Sequence, residues 1–137
     1  MPLVVDASLA LAWALPDESS AYADKVLAVV EAEGLRVPEL WACEVANGLA
    51  VAYLRKRITS ADEDDFLTAL SSLRIDVAHP VHAAAAVRDG TAAAMRYRLT
   101  AYDAAYVDLA ERERLMLATL DTAMRKAAEQ AGVTVFR

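Results

Sequence analysis

Four carboxylates in this 137-residue chain stand where side-chain oxygens can do chemistry: Asp6, Glu44, Asp103 and Asp121. Asp6 ends the apolar run Leu3-Val4-Val5, and Asp121 ends a second one, Leu115-Met116-Leu117-Ala118-Thr119-Leu120. An apolar run that stops on an acid reads as a buried strand whose carboxyl end opens onto the crevice where α/β proteins bind ligands. Asp103 lies at the start of a helix, and Glu44 lies inside one. Carboxylates brought together in that number cannot all ionise side by side without a cation. Hard oxygen ligands suit Mg²⁺ or Mn²⁺, and an ion so held activates water and stabilises charge on a phosphate. With one Cys and two His, zinc does not fit. His79 and His82 straddle a turn and read as surface residues.

Each acid also has a plainer explanation. Asp6 and Asp121 follow a strand and precede a helix, where an Asp caps free N–H groups of the first turn. Thr100-Ala101-Tyr102-Asp103 resembles a capping box. Glu44 is harder to explain away, because its helix is otherwise apolar from Leu40 to Ala52. Its neighbours one turn away are Leu40, Trp41, Asn47 and Gly48, so the strip it shares reads as mostly buried. No Lys or Arg stands at helical spacing until Arg55. An unpaired carboxylate there is costly. Glu44 therefore needs a partner from elsewhere in the fold, either a cation shared with other acids or a backbone group bonded to its protonated form.

The elements that must position these acids follow from local signals. Leu3-Val4-Val5 is a strand, and a short helix over 8–15 ends at Pro16. A helix over 19–33 stops at Gly34, a C-cap. Leu35-Arg36-Val37 is a second strand, and Pro38 leads an apolar helix over 39–57. Ser60 and Glu63 read as a capping box for a helix to about residue 73. A strand over 74–77 follows, then His79-Pro80 and an alanine-rich stretch to Arg98, as one helix or as two broken near Asp89-Gly90. A helix over 102–114, the strand over 115–120, a helix over 122–131 and a last strand Val133-Thr134-Val135 complete the chain. Helices and short strands alternate throughout. The fold class is therefore α/β, with a mostly parallel central sheet between helices on both faces. There is no repeat, low-complexity tract or linker, so residues 1–137 read as a single domain.

Composition narrows the class. A 57% hydrophobic content excludes a disordered chain. No apolar run is long enough to span a bilayer, and Met1-Pro2 leads straight into the first strand without a basic leader. A single Cys43 cannot form an internal disulfide. A cytoplasmic protein without a membrane partner is expected. The net charge of −6 argues against a protein that coats nucleic acid through a general positive field. It leaves room for an enzyme that holds cations in an acidic pocket.

In order, strand-Asp6-Ala7-Ser8, Glu44-x-x-Asn47-x-Leu49, Tyr102-Asp103-Ala104-x-Tyr106-x-x-Leu109-Ala110, Leu117-Ala118-Thr119-Leu120-Asp121 and Ala131-Gly132-Val133 resemble the PIN-domain family. The resemblance is in particular to the VapC ribonuclease toxins of toxin–antitoxin pairs, and it covers nearly the whole chain. It implies a three-layer α/β/α sandwich, Mg²⁺- or Mn²⁺-dependent cleavage of RNA, and neutralisation by a cognate VapB-like antitoxin. It implies that Asp6, Glu44, Asp103 and Asp121 form the metal site and are catalytic, supported through hydrogen bonds by Ser8, Asn47 and Thr119. Homodimers are usual in such toxins, as is a groove for the antitoxin near Leu9, Leu11, Trp13 and Trp41, residues that otherwise read as core. Asp108 lies in the motif helix but turned away from Asp103.

RNA must still be held by an acidic protein. Arg55, Lys56 and Arg57 end the Glu44 helix, and Arg96 and Arg98 precede the Asp103 helix. These are the basic clusters available, although cations at a helix C-terminus are favoured by the dipole alone. Asp62-Glu63-Asp64-Asp65 opens a helix and is satisfied by the opposite end of that dipole. A receiver domain expects paired acids after its first strand, and a haloacid-dehalogenase-type phosphatase expects an acid where Ser8 stands. The remaining alternative is a catalytically silent PIN-like module that binds RNA or protein.

Overall fold

The central strands carry apolar side chains on both faces, as burial between two helical layers requires. The computed structural model describes residues 1–80 and 82–137. Its strands are β1 (Val4–Val5), β2 (Leu35–Pro38), β3 (Ile75–Ala78) and β4 (Leu117–Ala118). β1 runs parallel to β4 with Val4 opposite Leu117, and β2 runs parallel to β3 with Leu35 opposite Ile75. A parallel bridge from Leu3 to Leu35 joins the two pairs. A second, from Leu117 to Val135, adds the C-terminal segment beyond β4. The spatial order is therefore β3-β2-β1-β4 and then Val135. The chain steps one way from β1 and the other way beyond β4, so the topological switch point, where such sheets bind ligands, falls at the carboxyl ends of β1 and β4.

The helices are α1 (Ala7–Ala12), α2 (Ala21–Glu33), α3 (Leu40–Leu54), α4 (Ser60–Ser71), α5 (Ala83–Tyr97), α6 (Ala101–Glu113) and α7 (Thr122–Gln130), with a 3-10 turn Pro16–Glu18 after α1. Right-handed crossovers place α1 to α4 on one face of this strand order and α5 to α7 on the other. The packing agrees: α1 lies on α2 and α3, and α6 lies on α5, α7 and the strands β1, β2 and β4. This is the expected three-layer sandwich. Leu3, Val4, Val5, Leu35, Val37, Leu117 and Ala118 are fully buried at its centre. Gly48 sets how closely two helices meet, because a Cβ there would lie 2.2 Å from Cδ1 of Leu11. The α1–α3 contact thus depends on a missing side chain.

Several boundaries differ from the sequence reading. The strand expected over 115–120 is only Leu117–Ala118. At one end, the Leu115 N–H still bonds the Ala110 carbonyl of α6. At the other, Thr119 turns its hydroxyl toward two acids. The expected strand over 133–135 contributes a single bridge at Val135. Pro38 closes β2 instead of opening α3. The cap of α4 is Thr59 with Asp62, one residue before the expected Ser60 and Glu63. Ile58, buried just before, anchors the chain so that Thr59 is the extended residue at the helix mouth. Of the two readings open for the alanine-rich stretch, the single helix is the one found, unbroken through Asp89-Gly90. Val81, in the turn before it, lies outside the described residues. Among the described residues no helix is long and apolar enough to cross a membrane.

Candidate active site

Asp6 is the best-defined member of the acid set. It leaves β1 into α1, its backbone extended, and is only 3% exposed. Its Oδ1 accepts the Leu9 N–H at 3.0 Å, and its Oδ2 accepts the Thr119 hydroxyl at 2.8 Å. Burial pushes its pKa up to about 6; the two hydrogen bonds pull it down, and the charges of Asp121 and Asp103 push it up further. Asp6 thus caps a helix and also shares its surroundings with two other carboxylates.

Asp121 caps α7 in the same manner, with Oδ1 accepting the Met124 N–H at 2.8 Å. Thr119, fully buried on the segment between β4 and α7, ties the two acids together. Its hydroxyl donates to Asp6 and accepts the Asp121 N–H at 3.0 Å. Asp103 sits in the first turn of α6 and is half-buried; the Thr100 hydroxyl caps the helix by accepting the Asp103 N–H at 3.2 Å. Burial, and then the Asp121 charge, raise its pKa above the ordinary carboxylate value. Three acids from β1, β4 and α6 therefore feel one another's charge at the carboxyl rim of the sheet.

Glu44 stands on the other helical layer. It is half-buried on α3, and its Oε1 accepts the Tyr106 hydroxyl at 2.6 Å. The partner that the apolar helix demanded is thus a phenol from α6. The strip around Glu44 is less buried than its sequence suggested, since Asn47 is exposed and Leu40 and Gly48 are half-buried. Tyr106 is 1% exposed, and its pKa is pushed far above the ordinary phenol value by burial, then by the bond to Glu44. The charge of Asp6 raises it as well.

Donor chemistry fits a hard divalent cation: oxygen donors alone, carboxylate-rich, with mutual repulsion that a cation would relieve. As placed, the side chains do not converge on an ion. Among the described residues no three His, Cys, Asp or Glu side chains stand at a spacing that would hold one. Ser8 and Asn47 are exposed, and neither hydrogen-bonds an acid among the described residues; Thr119 does.

The basic residues fall in two places. Arg96 and Arg98 end α5, just before α6 and Asp103. Arg96 is paired with Glu111 at 2.6 Å, and Arg98 is exposed in a left-handed backbone conformation. Arg55, Lys56 and Arg57 lie beyond the far end of α3, roughly 17 Å along the axis from Glu44. Arg57 is held by Asp17 at 2.9 Å. Asp108 pairs with Arg112 at 2.8 Å, apart from the acid set.

Two participants were given no site role by the sequence reading, although Tyr106 stands in one of its motifs. Tyr106 had a detectable signal, since it follows Asp103 by three residues and so shares its helix face. Arg125, whose guanidinium donates to the Thr119 carbonyl at 2.9 Å, had none. Elsewhere, Leu9 and Trp41 are buried as expected, whereas Leu11 and Trp13 are half-buried. Trp13 lines a groove of about 290 Å³ with Leu27, Phe66, Leu70 and Leu73, edged by Glu31, Asp62 and Asp65.

Known proteins resemble this chain along nearly its whole length. The PIN domain family matches residues 3–130. Ribonuclease VapC3 of Pyrobaculum aerophilum is 40% identical over 132 residues, 95% of each chain. Ribonuclease VapC9 of Mycobacterium tuberculosis is 33% identical over 134 residues, 97% of each. The crystal structure of PAE2754 from Pyrobaculum aerophilum superposes with a TM-score of 0.70 at 26% identity, over 94% of this chain and 87% of that one.

Proposed function

The chain belongs to the PIN-domain family and is a VapC-type endoribonuclease toxin, and from that premise we propose that Asp6, Glu44, Asp103 and Asp121 hold the cation of its active site. The observation that carries this is the buried Asp6 carboxylate, pinned by the Leu9 N–H and the Thr119 hydroxyl at the carboxyl ends of the paired strands β1 and β4 and raised in pKa by burial and by two neighbouring acids. Held by these four carboxylates, Mg²⁺ or Mn²⁺ would supply an activated water and charge stabilisation at the phosphate. The chain's own residues supply the frame. The Leu9 N–H and the Thr119 hydroxyl fix Asp6, and Thr119 fixes the backbone that carries Asp121. Ser8 and Asn47 are exposed, and their support of the acids would come through hydrogen bonds made once the cation is bound. Of the two basic clusters, the one with Arg98 lies closer in sequence to an acid, Arg98 standing five residues before Asp103, and Arg96 is drawn back by Glu111. Arg55, Lys56 and Arg57 are far enough along α3 to meet only a flanking part of an RNA strand.

The groove lined by Trp13, Leu27, Phe66, Leu70 and Leu73 has an apolar floor and an acidic edge. It suits an amphipathic helix with basic flanks, and we assign it to the VapB-like antitoxin. α5 has one buried residue, Ala93, and exposes Val87 and Met95. We take that face as the contact of a homodimer, and light scattering that gave the mass of one chain would overturn it. Residues 1–137 are read as one nuclease domain working in the cytoplasm.

The test is to induce the protein in cells and map new RNA 5′ ends, with Asp6→Asn as control. Discrete ends seen only with the unaltered protein are expected. Identical maps from an equally expressed pair would remove Asp6 from the chemistry.

A further inference from the structure

The acids at the rim come from both helical layers, and a hydrogen bond joins those layers directly above it. Tyr106 of α6 donates its hydroxyl to Oε1 of Glu44 on α3 at 2.6 Å. We propose that Tyr106 is a positioning residue of the active site, holding Glu44 by one oxygen so that the other is presented to the divalent cation. The proposal rests on the reading of Glu44 as a cation ligand.

Three features carry it. First, Glu44 is half-buried, and among the described residues no Lys or Arg pairs with it and the phenol is its one side-chain hydrogen-bond partner. A free Glu side chain has several rotamers, and ordering them opposes binding. Second, the donor does not move, because Tyr106 is among the largest fully buried side chains in the protein. A ligand held by an immobile neighbour is pre-organised. Third, the donor is neutral. A Lys or Arg in its place would hold Glu44 equally well but would cancel the charge a cation needs. A phenol fixes the carboxylate and leaves that charge in place. Tyr106 also follows Asp103 by three residues on α6, so one helix face carries one acid of the set and the holder of another.

The experiment measures Mn²⁺ binding by calorimetry, without RNA, on the unaltered protein, Tyr106→Phe, Glu44→Gln and the double variant. Tyr106→Phe is expected to weaken binding roughly tenfold, the usual scale for a group that holds a metal ligand. Glu44→Gln should weaken it at least as much, and adding Tyr106→Phe to Glu44→Gln should change nothing further. Additive losses, or unweakened binding in a folded Tyr106→Phe, would overturn the positioning role. If Glu44→Gln itself leaves Mn²⁺ binding unchanged, the reading of Glu44 as a ligand fails instead. Should Tyr106→Phe not fold, the unaltered protein decides by proton NMR. The Tyr106 hydroxyl proton should be protected from exchange and shift as Mg²⁺ is added, and a signal that does not move refutes the proposal.

Discussion

At the residue scale, Asp6 shows how a cap and a functional acid can be the same side chain. Both of its oxygens are occupied by protein donors, yet burial still raises its pKa to about 6 from 3.8. The folded chain therefore holds this proton more tightly than the unfolded chain does. The associated stability is fully present below about pH 4 and is lost as the pH rises through 6. Ionised Asp6 is thus a liability in the cation-free protein at neutral pH. Asp6→Asn should stabilise the chelator-treated protein by about 1–3 kcal/mol at pH 7.5, and the difference should vanish near pH 4. Denaturant titrations of both proteins at the two pH values check this. A variant less stable at pH 7.5 would mean that the bonds from Leu9 and Thr119 outweigh the desolvation.

At the element scale, helix ends decide where the acids sit. α1 and α7 both begin on a capping Asp, and α6 begins on Thr100 with Asp103 in its first turn. The segment Thr59-Ser60-Ala61-Asp62-Glu63 offers two capping registers for α4. Packing of Ile58 selects Thr59 with Asp62, where both reciprocal bonds form. Thr59→Ala should cost about 1 kcal/mol in denaturant unfolding. Ser60→Ala, at an exposed position inside the helix, should stay within about 0.5 kcal/mol. The reverse order of effects would restore the register read from the sequence.

At the scale of the whole molecule, a chain of net charge −6 acts on a polyanion. Its general field opposes RNA, so local cations must compensate. Arg57 is already engaged by Asp17, which leaves Arg55 and Lys56 as the charges of that cluster that have no acid partner among the described residues. Replacing Arg55, Lys56 and Arg57 together by Ala should flatten the plot of log binding constant against log salt by about 1.4, the value for two contacts to a single strand. Binding of RNA to the Asp6→Asn protein at several salt concentrations measures it. An unchanged slope would take the cluster out of the RNA path.

The alternation of short apolar runs with helical stretches determined the α/β class by itself, because burial on both faces of a parallel sheet leaves that pattern in the chain. The acid at the end of each central strand was legible for the same reason. So was the need of Glu44 for a partner, since its helix supplies no cation at helical spacing. The identity of that partner was not legible. Tyr106 lies 62 positions away, and only the meeting of two layers over the rim brings the phenol to the carboxylate. Nor could sequence separate Thr119 from the strand that precedes it. Its backbone continues an apolar run, and its hydroxyl acquires a role only where Asp6 arrives from β1. Local chemistry reaches across a few residues, so it writes helices, strands and caps into the sequence. Contacts between distant elements are decided by packing, and the centre of this protein is made of such contacts.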